Sequence, residues 1–221
     1  MKIFLTGATG YIGSVIAEKL LAAGHDIVGL ARSDESADTL TGRGITPYRG
    51  DVKAPDTLVI AARAADGVIH TAFDTSSGDF SQANAGEAKA VDALIAGLRG
   101  SGKPLVLTSG TGVLGDTGGT VYDEDTPVAA ADSPAVKALQ MRLDVEQAVR
   151  EAAELRGVVL RPPNVYGRGD GQMVFWALRA AAQRLGAVPY AVGTEDNRWS
   201  FVHVDDLADL FVLAVDKAPA G

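Results

Sequence analysis

Gly7, Gly10 and Gly13 stand at intervals of three, with Ala8 and Thr9 in the first gap and Tyr11 and Ile12 in the second. Backbone without side chains at this spacing turns tightly and comes close to a ligand. The chemistry it suits is holding the pyrophosphate of a dinucleotide. The loop works only if a strand delivers it and a helix leaves it. The apolar run Ile3–Leu5 precedes it, and Ile12, Val15, Ile16 and Leu20 then fall on one face of a helix. The start of that helix would turn unpaired N–H groups and the positive end of its dipole towards the phosphates.

The elements that would position this loop alternate along the chain. Strands are expected at Lys2–Thr6, Asp26–Leu30, Gly67–Thr71, Leu105–Thr108 and Val158–Leu160. Helices are expected at Tyr11–Ala23, Asp56–Ala65, Gln82–Arg99 and Val136–Leu155. The strands are short and almost wholly apolar, as in a sheet covered on both faces. The fold class is therefore α/β, a Rossmann-like doubly wound parallel sheet. Residues 1–168 would form the dinucleotide-binding domain, and residues 169–221 a partial substrate-binding region interleaved with it. A long loop rich in Gly, Asp and Thr, from Gly110 to Pro134, would lie at the carboxyl ends of the strands, where ligands bind.

Composition narrows the function. A chain of 221 residues can bury a large core and is most simply one domain. Its net charge of −8 argues against nucleic acid as a partner, since phosphate backbones are held by basic surfaces. An anionic cofactor stays compatible, because its binding is local. No apolar run approaches the roughly 20 residues that span a bilayer, so no membrane partner is expected. The N-terminus lacks a basic segment leading into a long apolar stretch, so no signal peptide is expected. Cysteine is absent, which excludes disulfides and thiolate chemistry and fits a cytoplasmic protein. The histidines number three, without metal-ligand spacing, so no metal is expected. No Gly-x-Ser-x-Gly elbow supports hydrolase chemistry.

With these pieces in order, the chain resembles the extended short-chain dehydrogenases/reductases, the group of nucleotide-sugar epimerases and dehydratases. The resemblance rests on Thr6-Gly-Ala-Thr-Gly-Tyr-Ile-Gly13, Gly50-Asp51-Val52 and Val68-Ile-His-Thr-Ala72. It continues through Leu107-Thr-Ser-Gly-Thr-Gly-Val-Leu-Gly115, Arg161-Pro-Pro-Asn-Val-Tyr-Gly167 and Phe201-Val-His-Val-Asp-Asp206, over nearly the whole length. It implies that Gly7, Thr9, Gly10, Tyr11, Ile12 and Gly13 wrap the pyrophosphate. Asp51 and Val52 would lie at the adenine, or Asp51 would be a turn acid. Thr71, Ala72 and Phe73 would stand beside the ribose and phosphates, or would simply end the sheet. Thr108 belongs to the same cofactor-binding set, and Pro163 would lie near the nicotinamide.

The end of the second strand bears on which cofactor. Members that bind NAD usually place an acid there to accept hydrogen bonds from the ribose 2′-hydroxyl. Here the position is Ala31, followed by Arg32 and Ser33. Arginine pairs with a 2′-phosphate that an acid would repel, and Ser33 adds a hydroxyl donor. The expectation is NADP(H) over NAD(H), against the alternative that Arg32 is a solvated surface charge, with Asp34 and Glu35 weakening the field.

The catalytic end departs from the family. Its members typically carry Tyr-x-x-x-Lys on the helix after the fifth strand, the phenol as general acid/base and the lysine lowering its pKa and holding the nicotinamide ribose. Four places after the tyrosines Tyr11, Tyr48, Tyr122, Tyr166 and Tyr190 stand Val15, Val52, Thr126, Asp170 and Thr194. Aligning the helix through Arg142-Leu-Asp-Val-Glu146 puts Ala138 at the tyrosine position and Arg142 at the lysine. Anchoring on Lys137 puts Ser133 there, and anchoring on Ser133-Pro134 puts Ala135 there with Leu139 at the lysine. Every alignment loses the phenol. Arg142 can hydrogen-bond a ribose hydroxyl but is a poor proton donor. Ser109, Thr111 and Tyr122 are the catalytic candidates, with Asp116 and Tyr166 behind them. His70 reads as a satisfied core histidine. His203 with Asp205 and Asp206 reads as a structural cluster with Asp205 capping a helix.

Extended members usually run on for several dozen residues that complete a substrate domain. From Gly169 onwards, with Trp176, Arg179, Trp199 and Phe201, only part of one is expected here. An open site, completion by the partner of a homodimer, and a fragment all stay open. The expected function is an NADP(H)-binding oxidoreductase or epimerase-like enzyme for a small carbonyl or hydroxyl substrate. The alternative is a non-catalytic NADP(H)-binding sensor or regulator.

Overall fold

A computed structural model gives the structure of residues 1–115, 117–128, 134–171, 173–190 and 192–219; within it, side chains at 134–139, 170, 173 and 174 are left aside. The candidates Asp116 and Ser133, and the side chain of Ala138, lie outside what the structure describes. The first half runs β1 (Lys2–Thr6), α1 (Tyr11–Ala22), β2 (Asp26–Ala31), α2 (Asp34–Gly42), β3 (Thr46–Arg49), α3 (Pro55–Ala64), β4 (Gly67–His70) and α4 (Phe80–Leu98). Then come β5 (Pro104–Thr108), a 3-10 turn Thr111–Leu114, α5 (Pro134–Arg150) and β6 (Arg156–Leu160). The chain continues through β7 (Asn164–Gly167), β8 (Asp170–Gly171), α6 (Met173–Leu185), β9 (Phe201–His203) and α7 (Val204–Lys217).

The main sheet has the order β3-β2-β1-β4-β5-β6, and all its pairs are parallel. The order reverses beside β1, which pairs with β2 on one side and β4 on the other. That places the loops after β1 and β4 at the crevice where such sheets bind ligands. Alternation along β1 divides the core. Ile3 and Leu5 pack with Ile16 and Leu20 of α1 and Leu207 and Phe211 of α7. Phe4 faces the other layer, with Leu58 of α3, Leu94 of α4 and Val149 of α5.

The structure adds elements that the sequence pattern does not announce. β3 reads Thr-Pro-Tyr-Arg, with no fully buried residue, because it is the edge strand and its proline needs no ladder partner. α2 buries only Leu40, so it has almost no apolar period. A second sheet, β8-β7-β9, stands apart from the first. Among the described residues no helix is long and apolar enough to cross a membrane, and no group of three His, Cys, Asp or Glu could hold a metal.

Arg156, at the start of β6, joins the sheet to the end of α7. Its Nη1 donates to the carbonyls of Ala214 (3.1 Å) and Ala218 (2.5 Å), and its Nη2 to that of Val215 (2.5 Å). All three carbonyls lie at the C-terminal end of α7, where that of Ala214 also accepts the Ala218 N–H at 3.3 Å, and a cation suits the negative end of the dipole. Arg156→Met is expected to cost about 1–2 kcal/mol and to lower the melting temperature by about 3–6 °C. A thermal melt indistinguishable from the parent's would show that water replaces the guanidinium at no cost.

Candidate functional site

Gly7 has φ +74° and packs so closely on the end of β4 that a Cβ would stand 2.5 Å from Thr71 Oγ1. Thr71 Oγ1 in turn donates to the Thr6 carbonyl at 2.7 Å. At Gly13 a Cβ would lie 2.2 Å from the Gly7 carbonyl oxygen. Gly10 is different: its Cβ would meet only that same oxygen, at 3.2 Å, and the space above it is open. Gly10 caps α1 with no side-chain hydrogen bond, and the first turn holds no acid. The first amides of α1 therefore point, uncapped and without a competing carboxylate, over an open glycine. Such a cradle fits a phosphate. Tyr11 stands at its rim and donates its hydroxyl to the Gly167 carbonyl at 3.0 Å, linking the cradle to β7.

Behind the cradle, on the α4 side of the sheet, lies a buried polar cluster. Thr6 Oγ1 is 3.2 Å from the Thr71 N–H and 3.3 Å from the Ala72 N–H, and accepts both. Its own proton must then go to His70 Nδ1, at 2.8 Å. That assigns the His70 proton to Nε2, a buried donor without a hydrogen-bond partner among the described residues. Burial, helped by the charge of Arg142, lowers His70 to about 4, so the ring is neutral. The expected core histidine is thus buried but only half satisfied. It shares the wall of a cavity of about 110 Å³ with Glu87.

Glu87 is the residue that sequence reasoning missed. It projects from α4 with its side chain 3% exposed. The available signal was a carboxylate on the apolar stripe Ala83, Ala90, Val91 and Leu94. Its Oε2 accepts from Arg142 Nη1 at 2.5 Å. Arg142 Nη2 donates to the Thr108 carbonyl at 2.7 Å, and its guanidinium lies 4.9 Å from the Phe73 ring centroid. Burial pushes the Glu87 carboxyl up to about 7 despite Arg142, and the Glu146 charge adds to the rise. One turn further on α5, Glu146 holds Arg161 at the end of β6, with Nε at 3.1 and 3.0 Å from its two oxygens and Nη2 at 2.5 Å.

The fold thus brings Thr71, Phe73, Thr108, Ser109 and Arg142 to one end of the sheet. Ser109 is buried, and its Oγ, like Thr108 Oγ1, has no hydrogen-bond partner among the described residues. The Thr111 N–H donates to the Pro162 carbonyl at 3.1 Å, which sets the 3-10 turn against Pro162 and, next to it, Pro163. Tyr122 sits half-buried in the following loop, and no hydrogen bond joins it to Ser109, Thr111 or Arg142. Asp51 accepts from the Lys53 N–H at 2.9 Å, the turn role. Val52 packs against the core beneath, as Ile12 does on the other face. Arg32 is exposed at the end of β2. Ser33 departs from expectation: its hydroxyl accepts from Ser36 N–H and donates to Ser36 Oγ, both at 3.2 Å, so it caps α2 and its proton is engaged.

A second expectation is corrected further along. His203, not Asp205, caps α7, its Nδ1 accepting from the Asp205 N–H at 3.2 Å. Asp205 instead pairs with Arg168, which also holds Glu18 of α1 at 2.6 Å. Arg168 keeps both carboxylates below their ordinary range. Next to this clamp, Tyr166, Phe175, Trp176, Arg179 and Phe201 line an apolar cleft of about 660 Å³. Trp199 stands outside it, 67% exposed.

The model of the NAD dependent epimerase/dehydratase family matches residues 3–221. An uncharacterised protein of Schizosaccharomyces pombe is 39% identical over 223 residues, covering 100% of this chain and 72% of its own length. A 2-alkyl-3-oxoalkanoate reductase of Shewanella oneidensis is 32% identical over 224 residues, covering 96% of this chain and 56% of its own. Among solved structures, the UDP-glucose 4-epimerase of Thermus thermophilus in complex with NAD superposes with a TM-score of 0.76 at 25% identity, over 99% of this chain and 76% of that one.

Proposed function

The chain belongs to the NAD-dependent epimerase/dehydratase family and is an NAD(P)-dependent oxidoreductase or epimerase-like enzyme, and from that premise we propose that it prefers NADP(H) and acts on a small carbonyl or hydroxyl compound. The observation that carries the preference is the end of β2, where Ala31 is buried and Arg32 stands exposed next to it. Of the two acids that follow it in the chain, Asp34 lies 3.3 Å from Arg49. A second cation, Arg43, reaches the cradle itself, its Nη1 donating to the Ala8 carbonyl at 3.4 Å. Together these arginines supply a positive rim where a 2′-phosphate would sit.

In this reading the amides at the start of α1 hold the pyrophosphate over Gly10, and Arg142 holds the nicotinamide ribose at the end of β5. When bound, the nicotinamide supplies or accepts the hydride. Ser109 Oγ, buried and unpaired next to Thr108, orients the substrate oxygen. No tyrosine stands with a lysine to pass a proton, so that step falls to a hydroxyl such as Ser109, Thr111 or Tyr122, or to water.

Calorimetric titration of NADPH and NADH, with and without Arg32→Ala, tests the preference. Wild type is expected to bind NADPH more tightly, and the variant to lose about tenfold in NADPH affinity with NADH unchanged. Equal affinities in the wild type would overturn it. NADPH oxidation followed over ketones, aldehydes and nucleotide sugars tests the substrate class, with Ser109→Ala and Tyr122→Phe alongside. Turnover lost in either variant names the proton-handling hydroxyl. Tight NADPH binding with no turnover over the whole panel would overturn the catalytic half.

A further inference from the structure

We propose that Glu87 is a positioning residue: with the Thr108 carbonyl and the Phe73 ring it holds the Arg142 guanidinium so that its remaining N–H donors meet the cofactor's sugar. The inference rests on the ribose role proposed for Arg142. A lysine, which the alignment through Arg142 and Glu146 would put at this position, is a point charge that needs no set plane. Arginine carries five donors in a rigid plane, so it serves a hydroxyl only if that plane is held. The structure holds it on three sides, by Glu87 Oε2 at 2.5 Å, the Thr108 carbonyl at 2.7 Å and the Phe73 ring at 4.9 Å. Two donors are engaged in this way and the others stay available at the end of β5.

Glu87 is a costly choice for packing alone. Its buried neighbours on α4 are Ala83, Asn84, Ala90, Val91 and Leu94, and a carboxylate at 3% exposure is disfavoured there unless paired. Its surroundings tie it to the site. Arg142 and Glu146 face it from α5, and His70 of β4 lines the same cavity. Lys53 and Asp74, also on that wall, are paired with each other at 2.5 Å. Arg142 is therefore the cation that answers the Glu87 charge. Because burial pushes the carboxyl up to about 7, the charged pair is complete above that pH and weakens below it.

The test is the NADPH dissociation constant, by calorimetry across the neutral range, for wild type, Glu87→Gln, Glu87→Asp and Arg142→Ala. Glu87→Gln is expected to weaken NADPH about tenfold above pH 7, and Glu87→Asp to recover part of the loss. KM for NADPH is expected to rise more than kcat falls. Wild-type affinity is expected to decline as pH falls through 7, while Glu87→Gln declines less. The 2′-phosphate titrates alike in both proteins, so their difference isolates Glu87. Should Glu87→Gln fail to fold, Glu87→Asp and the wild-type pH profile carry the test. If Arg142→Ala binds NADPH as wild type does, the ribose role falls and this inference with it. If Arg142→Ala weakens binding but Glu87→Gln matches wild type in affinity and pH profile, the ribose role stands and the positioning role is overturned.

Discussion

Gly13→Ala is expected to lower the melting temperature by about 6–12 °C, equivalent to about 3 kcal/mol, and to abolish NADPH binding. The added methyl would lie 2.2 Å from the Gly7 carbonyl oxygen, 2.7 Å from its carbon and 2.9 Å from Thr71 Oγ1. Two of these are backbone atoms, which cannot swing aside. Gly7 cannot retreat either, because its own side is closed by Thr71. The strain must open the contact between the loop after β1 and α1, the two parts that form the cradle. Gly10→Ala is the control. Its methyl meets one atom at 3.2 Å, so it should melt close to the parent yet weaken NADPH by filling the phosphate's place. A Gly13→Ala protein that melts with the parent would show that the cradle is far more pliant than its contacts indicate.

The second large effect is at the opposite end of the polar cluster. Glu146→Ala is expected to cost about 3–5 kcal/mol, because it strands the Arg161 guanidinium without its anion. Glu146 is only 3% exposed and both of its oxygens accept from Arg161. The melting temperature should fall by about 10 °C or more. Replacing the pair together, Glu146→Leu with Arg161→Met, should recover most of that loss, since the desolvation of both ions disappears with their attraction. Thermal melts of the single and double variants decide it. A double variant as unstable as the single one would mean that shape, not the stranded charge, sets the cost.

These outcomes depend on residues that differ in how visible they are in the chain. β1, the glycine loop and α1 are local: the apolar run, the three glycines and the stripe Val15, Ile16 and Leu20 lie within a single stretch, and the observed bounds match to about a residue. α7 is not among the helices expected from the sequence, which marks only a helix start at Asp205, although Leu207, Ala208, Phe211 and Val215 repeat at helical spacing. β3 and α2 are not among the expected elements either, because an edge strand with a proline and a helix with one buried residue carry little hydrophobic period.

The sequence by itself determined the cradle, the parallel sheet that presents it, the arginine after β2 and the missing tyrosine–lysine pair. All of these are set by residue type at short spacing. Only the tertiary structure decided what the other site residues do. Arg142 meets Glu87 across 55 residues and Thr108 across 34, and His70 meets Thr6 across 64. No periodicity links such partners, because the sheet order brings them together. The same burial that joins them moves Glu87 up to about 7 and His70 down to about 4, and burial is a property of the folded chain. Ser33 and His203 make the point at close range. Ser33 was read as a cofactor donor and His203 as part of a structural cluster in which Asp205 is the cap, and each is a helix cap whose partner lies two or three residues away, which became visible only once the helices had defined ends.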